Sequence, residues 1–230
     1  MTKPPLSNRT VFLLLLGASL AVAMLPVLWP QLDLAVTAYF LQPAPAFNPA
    51  TWPLVALLND HLPTLFRTLT VLCLTGWLLV TLRPRWRHRA LALTFLGFSL
   101  LLGPGLATWA MKEHHQRARP AHVVEFGGDR QFTRALVPAD QCQHNCAFTS
   151  GHAACGFFLV SLMLLDPRRR WLWIGAGVAT GTLVALARLS VGAHWLSDTL
   201  WALPVTLLAS GLVWALAARV YPPAPLPLPR

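Results

Sequence analysis

The sequence predicts an all-α integral membrane protein, a bundle of six transmembrane helices with both termini in the cytoplasm. Hydrophobic residues make up 55% of the 230 residues. Charged residues make up only 11%, whereas a soluble domain carries about 25%. Long apolar runs alternate with short basic clusters, which is the pattern of a membrane topology. Because polar side chains cannot cover so much apolar surface, lipid must cover it, and we expect one membrane domain over residues 1–230.

Six apolar runs approach the length of about 20 residues that a bilayer-spanning helix needs. The first contains Ala21–Ala23, which resembles a signal-peptidase site, but the run continues to Trp29 and therefore favours an uncleaved helix. The third contains Pro104, where we expect a bend. The predicted spans are 11–29, 64–82, 90–111, 150–165, 171–187 and 195–220.

Three segments fall outside the regular pattern. The proline-rich stretch 32–61 contains no clear span, although 52–58 is apolar enough to lie in the membrane interface. The fourth and fifth spans are short, so they are expected to begin in a polar pocket and not in lipid. The tail 222–230 is rich in proline and is predicted to be disordered.

The basic clusters set the orientation. They fall on one side of the membrane only if the chain has six spans, and the positive-inside rule makes that side cytoplasmic. The loop 112–149 is then outside. These clusters are Lys3 with Arg9, Arg83 to Arg89, Arg168 to Arg170, and Arg219 with Arg230.

The net charge of +10 does not indicate a nucleic-acid partner. Eighteen lysines and arginines stand against eight acidic residues. Nucleic-acid binding needs a soluble basic face, and here the basic residues lie in short clusters between apolar runs. The expected partner of this surface is the membrane itself.

Reactive side chains concentrate in three stretches that topology brings to the outer face. The first follows the third span, the second opens the fourth, and the third joins the fifth span to the sixth. They are Lys112–Pro120, Phe148–His152 and Arg188–Asp198.

The residue types in these stretches fit a phosphate dianion. Lys112, Arg119 and Arg188 would supply fixed cations, and arginine offers bidentate donors that match phosphate oxygens. Ser150 and Gly151 open a helix, where free backbone N–H groups form an anion site. The sequence therefore predicts a phosphate-binding pocket on the outer face.

A nucleophile and an acid are also present. His194 and Asp198 are four residues apart, so on a helix they share a face. An aspartate that holds one imidazole nitrogen leaves the other free to attack. His152 is then available as the general acid for the leaving oxygen.

Each of these residues alone has an ordinary structural interpretation. Lysine and arginine at a helix end often snorkel, and a serine at a helix start is most often an N-cap. A single histidine is more often hydrogen-bonded than catalytic. Asp198 differs, because a carboxylate inside a membrane span is a functional candidate by default. Their coincidence on one face favours the functional interpretation of the set.

Two of the four cysteines lie in the outer loop. Cys142 and Cys146 would form a local disulfide in an oxidising compartment. A metal pair is the alternative, but only His144 lies between them. Cys73 and Cys155 fall inside apolar runs, as small packing residues do.

The motifs resemble those of the type 2 phosphatidic acid phosphatase superfamily, which also holds bacterial acid phosphatases and vanadium haloperoxidases. Lys112 is followed by Arg119-Pro120, then by Ser150-Gly151-His152, then by Arg188 with His194 and Asp198. The resemblance implies phosphate binding by Lys112, Arg119, Ser150, Gly151 and Arg188. It implies His194 as the nucleophile, Asp198 as its partner, His152 as the acid, and neither a metal nor a cofactor. Thr149 and Ala187 depart from the usual Pro and Ser.

The resemblance also implies a substrate class and a location. The loop with Phe126-Gly-Gly and Cys142–Cys146 looks like that of members that dephosphorylate large outer-leaflet lipids, including lipid A. Undecaprenyl pyrophosphate, phosphatidylglycerol phosphate and phosphatidic acid are the alternatives. The expected location is a bacterial cytoplasmic membrane, with the site facing the periplasm.

Three other functions remain open at this point. A lipid phosphotransferase would pass the phosphate to another lipid, and a vanadium haloperoxidase would hold vanadate in the same cage. A channel or transporter would bind the anion without chemistry. A channel should place polar groups along its spans, whereas here they collect at one end.

Overall fold

The computed structural model describes residues 6–42 and 49–222, and these are mostly helical. Within these residues the only β-structure is a single bridge between Val123 and Arg130. The all-α fold class is therefore confirmed. The helices are α1 (Asn8–Leu28), α2 (Gln31–Leu41), α3 (Pro53–Asp60), α4 (Leu62–Thr81), α5 (Ala90–Leu100), α6 (Thr108–His115), α7 (Gly151–Ser161), α8 (Arg170–Ser190), α9 (Leu196–Leu200) and α10 (Ala202–Val220).

Five helical segments among the described residues are long and apolar enough to cross a membrane. In the second of them only 6% of the most apolar window is buried within the protein, which leaves that surface for lipid. The chain is a multi-pass membrane protein. The segments are Asn8–Leu28, Pro53–Thr81, Arg85–His122, Pro167–Ser190 and Leu196–Val220.

The predicted fourth span is shorter than a bilayer. The apolar helix Gly151–Leu164 has 14 residues, which at about 1.5 Å each extend for roughly 21 Å against a hydrocarbon thickness of about 30 Å. Most side chains of α7 are buried. Since α7 lies against α8 and α10, packing inside the bundle also accounts for its apolar side chains, and the number of six spans stays a prediction.

The third predicted span contains an irregular turn at Pro104. Residues Leu101–Ala107 form a π-helical turn between α5 and α6, because proline has no N–H for the regular helical ladder. Thr108 Oγ1 donates to the carbonyl oxygens of Pro104 (2.6 Å) and Gly105 (3.1 Å). This turn lies directly before the helix that carries Lys112.

The N-terminal ends of α1 and α8 lie together. Arg170 Nη1 donates to Leu6 O at 2.8 Å and to Asn8 Oδ1 at 3.2 Å. Since α8 is 21 residues long, Arg188 near its other end lies roughly 27 Å away along the helix axis. The tail predicted to be disordered lies, apart from Pro222, outside the described residues.

Glycines allow α7 and α8 to pack backbone against backbone. A Cβ at Gly156 would lie 2.8 Å from Gly181 Cα, and one at Gly177 would lie 2.3 Å from Val160 N. Backbone atoms cannot move aside as a flexible side chain can. This close pair fixes His152 on α7 relative to Arg188 on α8.

Gly177→Ala is therefore expected to destabilise the protein, by about 2 kcal/mol for an overpacked contact. The measurement is the thermal unfolding midpoint in detergent. Gly175→Ala is the matched control, because it lies on the same helix and its Cβ would meet no atom within 4 Å. Equal midpoints for the two variants would contradict the close packing.

Candidate active site

His194 lies in the turn between α8 and α9, beyond the end of either helix. Gly192 has φ +63°, a conformation that favours glycine, and turns the chain back into the bundle. The His194 side chain is 1% exposed, and its Nδ1 lies 2.8 Å from Ala147 O. Because a carbonyl oxygen only accepts, Nδ1 carries the proton and Nε2 keeps its lone pair.

Asp198 does not hold His194 in the way that the sequence predicted. His194 precedes α9, so the two residues do not share a helical face. Asp198 Oδ2 accepts from Trp195 N at 2.8 Å and lies 3.5 Å from His194 Nδ1. As the third residue of α9, Asp198 reaches back to the backbone at the helix start. The hydrogen bond that orients the imidazole therefore comes from Ala147, and the carboxylate lies beside it.

Two of the predicted phosphate-binding cations meet at Asn145. Lys112 Nζ donates to Asn145 Oδ1 at 3.0 Å. Arg119 donates to Asn145 O through Nη2 (2.8 Å) and Nε (3.2 Å). Asn145 has φ +50° and lies between Cys142 and Cys146, which are joined as a disulfide in the structure. Asn145, which accepts hydrogen bonds from both cations, therefore lies within the small ring that the disulfide closes.

The third cation is held by a residue from outside the predicted motifs. Arg188 Nη1 donates to Asn59 Oδ1 at 2.6 Å, and Asn59 O lies 3.1 Å from His152 Nε2. Asn59 lies on α3, in the segment to which the sequence assigned no role. It connects α3 to both a predicted phosphate ligand and the predicted acid.

Ser150 and Gly151 differ in what they offer an anion. Ser150 is the N-cap of α7, where its Oγ accepts from Ala153 N at 3.3 Å. Its own N–H donates to Asp198 O at 3.0 Å, so the prediction of a free Ser150 amide is wrong. Gly151 is the first residue of α7, a position whose N–H has no partner within the helix.

The electrostatics of the site favour an anionic ligand. Within the described residues, no carboxylate lies within 4.0 Å of Lys112, Arg119 or Arg188. Burial lowers the pKa of His194 well below its usual range, and the positive charges of these three residues lower it further. Partly buried cations without a counter-charge are costly, and a bound phosphate would neutralise them.

The same pKa shift sets an expected pH dependence. His194 stays neutral as the pH falls through the usual imidazole range near about 6.5, so its lone pair stays available. The acid limb of kcat/KM should therefore lie below that range. The measurement uses two substrates whose phosphates have different pKa values. An acid limb caused by a group of the enzyme falls at the same pH with both substrates, whereas one caused by the substrate shifts with its pKa. An enzyme limb at the ordinary imidazole pKa would contradict the prediction.

A groove of about 810 Å³ adjoins part of this site. Lys112, Gly151 and His152 line one part of it, and the rest is mainly apolar. Its walls come from α4 and from the segment α5–α6, which both belong to membrane-crossing segments. The apolar lining includes Phe66, Val71, Leu100, Leu101, Pro104 and Trp109.

The structure brings all eight predicted site residues into the same region and adds four that the sequence analysis missed. Asn59 and Asn145 carried no signal, since an asparagine in a polar loop or at a helix end is common. Arg117 lies in the basic stretch Lys112–Pro120, where the sequence did not distinguish it from the other cations. Asp33 offered a clear signal, because a carboxylate in an apolar run is expensive to bury.

The part of the chain that contains these residues matches a known protein family. A model of the PAP2 superfamily matches residues 92–222, which include all eight predicted site residues. A lipid A 4'-phosphatase of Francisella tularensis subsp. novicida is 35% identical over 161 residues, which cover 68% of this chain and 71% of the relative. No solved structure matches the chain.

Two other relatives match less of their length or at lower identity. A lipid A 4'-phosphatase of Rhizobium etli is 40% identical over 102 residues, 44% of this chain and 40% of the relative. A phosphatidylglycerophosphatase B of Escherichia coli is 28% identical over 177 residues, 65% of this chain and 67% of the relative. The chain belongs to the PAP2 superfamily, and it is a membrane phosphatase.

Proposed function

We propose that the protein removes a phosphate from a membrane lipid, without a metal, through a phosphohistidine on His194. One observation carries the proposal. A buried imidazole whose Nδ1 is bound to Ala147 O lies beside an apolar groove and among three cations, none of which has a carboxylate within 4.0 Å among the described residues. The groove accommodates acyl chains while the phosphate meets the cations.

The first step transfers the phosphoryl group to the enzyme. His194 Nε2 attacks phosphorus, the P–N bond forms, and the P–O bond to the lipid breaks. His152 protonates the departing oxygen, and the neighbouring phosphate dianion favours the protonated form of His152. The imidazole becomes positive, and Ala147 O and Asp198 stabilise it from the Nδ1 side.

The second step releases the phosphate. His152 takes a proton from water, the water oxygen attacks phosphorus, and the P–N bond breaks. Lys112, Arg119, Arg188 and the Gly151 N–H stabilise the charge on the phosphoryl oxygens in both steps. His194 returns to its neutral form, so the cycle consumes one water per phosphate.

Lipid A is the first substrate to test. Relatives named lipid A 4'-phosphatase reach 35% and 40% identity, against 28% for the phosphatidylglycerophosphatase B. Phosphatidylglycerol phosphate, undecaprenyl pyrophosphate and phosphatidic acid complete the panel. All four carry a phosphate on an apolar anchor, which is the chemistry that the groove and the cations fit.

The proposed location of the site is the outer face of a bacterial cytoplasmic membrane, with both termini inside. Arg170 and the start of α1 lie at one end of the bundle, and Arg188 lies near the opposite end of α8. The positive-inside rule makes the first end cytoplasmic. The disulfide beside Asn145 fits an oxidising compartment.

The test is phosphate release from each lipid of the panel by the purified protein in the presence of a chelator. With a labelled substrate, quenching during turnover should trap label on the protein as an acid-labile phosphoramidate at position 194. Release that requires an added metal, or label on another residue, would overturn the mechanism. Label on a second lipid, with no free phosphate, would instead identify a phosphotransferase.

A further inference from the structure

Four side chains form a fully buried polar cluster beneath His194. They come from α2, from the loop after α6 and from α9, and each is at most 1% exposed. Arg117 donates through Nη2 to Asp33 Oδ2 (2.8 Å) and through Nη1 to Asp198 Oδ1 and to Ser197 Oγ (2.7 Å each). Asp33 also accepts from Ser197 N (2.8 Å) and Ser197 Oγ (2.6 Å).

Arg117 is 1% exposed, and four of its five N–H groups donate to protein acceptors, so its role is to bind other parts of the protein. Its Nε donates to Thr133 O at 2.8 Å. Its guanidinium lies 5.1 Å from the ring centre of Trp195 and 5.5 Å from that of Phe132. A buried cation with these contacts acts on the reaction through the residues that it holds.

The cluster joins two carboxylates to one guanidinium. Burial raises the pKa of Asp33, and the charge of Arg117 opposes that rise. The carboxylate oxygens of Asp33 accept from Arg117, from the Ser197 amide and from the Ser197 hydroxyl, three donors that suit the ionised form. With both aspartates ionised the cluster keeps one net negative charge.

Stability alone does not explain such a cluster. Buried ion pairs cost about as much in desolvation as they return, and apolar replacements are often as stable. The cluster is also adjacent to the reacting groups. Asp198 lies 3.5 Å from His194 Nδ1, and its carbonyl oxygen accepts from the N-cap Ser150. A shift of Asp198 would therefore change the distance between its carboxylate and His194 Nδ1. It would also displace Ser150 at the start of α7.

We propose that Asp33 and Arg117 are positioning residues for the His194–Asp198 pair. Arg117 holds the Asp198 carboxylate beside the imidazole. Asp33 offsets the charge of Arg117, so that Asp198 still stabilises the imidazole when phosphoryl transfer makes it positive. The inference rests on the proposed phosphohistidine mechanism, and it assigns a role in the reaction to α2, which lies outside the residues 92–222 that match the family.

The test uses two variants of Asp33, one that keeps the shape of the side chain and one that keeps its charge. Asp33→Asn keeps the shape and removes the charge, and kcat should fall at least about tenfold with KM nearly unchanged, as for a lost charged hydrogen bond. Asp33→Glu keeps the charge but adds a methylene to a filled site. It should be less stable than the asparagine variant and yet turn over faster.

Thr37→Val is the matched control. Thr37 lies one turn further along α2, is equally buried, and its Oγ1 has no hydrogen-bond partner among the described residues. Its kcat should equal that of the wild type. Asp33→Asn with wild-type kcat would overturn the inference, and so would an Asp33→Glu variant slower than Asp33→Asn.

Two further variants keep the test decisive. If Asp33→Asn does not fold, Arg117→Lys keeps the charge but loses the planar fork, and its kcat should fall while KM holds. A wild-type kcat in that variant would overturn the inference. His194→Ala separates the phosphohistidine mechanism from the positioning role. If His194→Ala is active, the mechanism is wrong. If His194→Ala is inactive and Asp33→Asn has wild-type kcat, only the positioning role is wrong.

Discussion

Replacing His194 with alanine is expected to lower kcat by at least about 10⁴-fold, as the loss of a covalent nucleophile does in other enzymes. The reason is geometric. Nδ1 is bound to Ala147 O, which leaves Nε2 for the attack, and the charges of Lys112, Arg119 and Arg188 all act on this imidazole. The variant keeps all three cations, so we expect it to bind the lipid phosphate while failing to break the P–O bond.

The measurement is phosphate release at saturating lipid, together with a direct binding assay. His122→Ala is the control, because that side chain is exposed on the loop after α6 and is not among the site residues. It should retain wild-type kcat within a factor of about two, as surface substitutions usually do. A His194→Ala variant with a few per cent of normal turnover would point to a different nucleophile.

The second large effect is expected at Arg188. Substitution by lysine keeps the positive charge but removes the planar fork that matches phosphate oxygens. The loss of one charged hydrogen bond in the transition state is worth about 1.5–3 kcal/mol, so kcat/KM should fall by roughly tenfold to a hundredfold. Alanine, which also removes the charge, should cost more.

The comparison needs a lysine substitution that leaves the site intact. Arg168→Lys serves, because Arg168 is exposed near the opposite end of α8. The thermal midpoint of each variant separates a loss of chemistry from a loss of fold, since Arg188 also ties α8 to Asn59. Unchanged kcat/KM in Arg188→Lys would show that bidentate contact is not used.

The fold class followed from the sequence because lipid exposure requires a composition that soluble proteins do not have. The span count of six stays a prediction, for a reason that α7 makes clear. Burial against neighbouring helices and burial in lipid select the same apolar side chains, so Gly151–Leu164 reads as a short span. The helix α2 was missed because Asp33 interrupts its apolar pattern and its 11 residues are too few to cross a bilayer.

The site residues that could be predicted from the sequence are those in the three motifs, because the motifs follow one another in a fixed order and spacing. Spacing placed Arg188, His194 and Asp198 together, but it could not show that α9 begins only at Leu196. The orienting group of His194 is a backbone carbonyl, which carries no sequence signal. Asn59 and Asn145 act through tertiary contacts at separations of 129 and 33 residues, which a single sequence does not reveal.

The groove beside Lys112 has a kinetic consequence. A lipid that enters between α4 and the α5–α6 segment arrives by diffusion in two dimensions. The rate should then follow the mole fraction of substrate in the bilayer and not its concentration in the bulk solution. Adding inert lipid at constant total substrate should slow turnover by surface dilution, while the water-soluble phosphate escapes in three dimensions and the dephosphorylated lipid competes for the same entry.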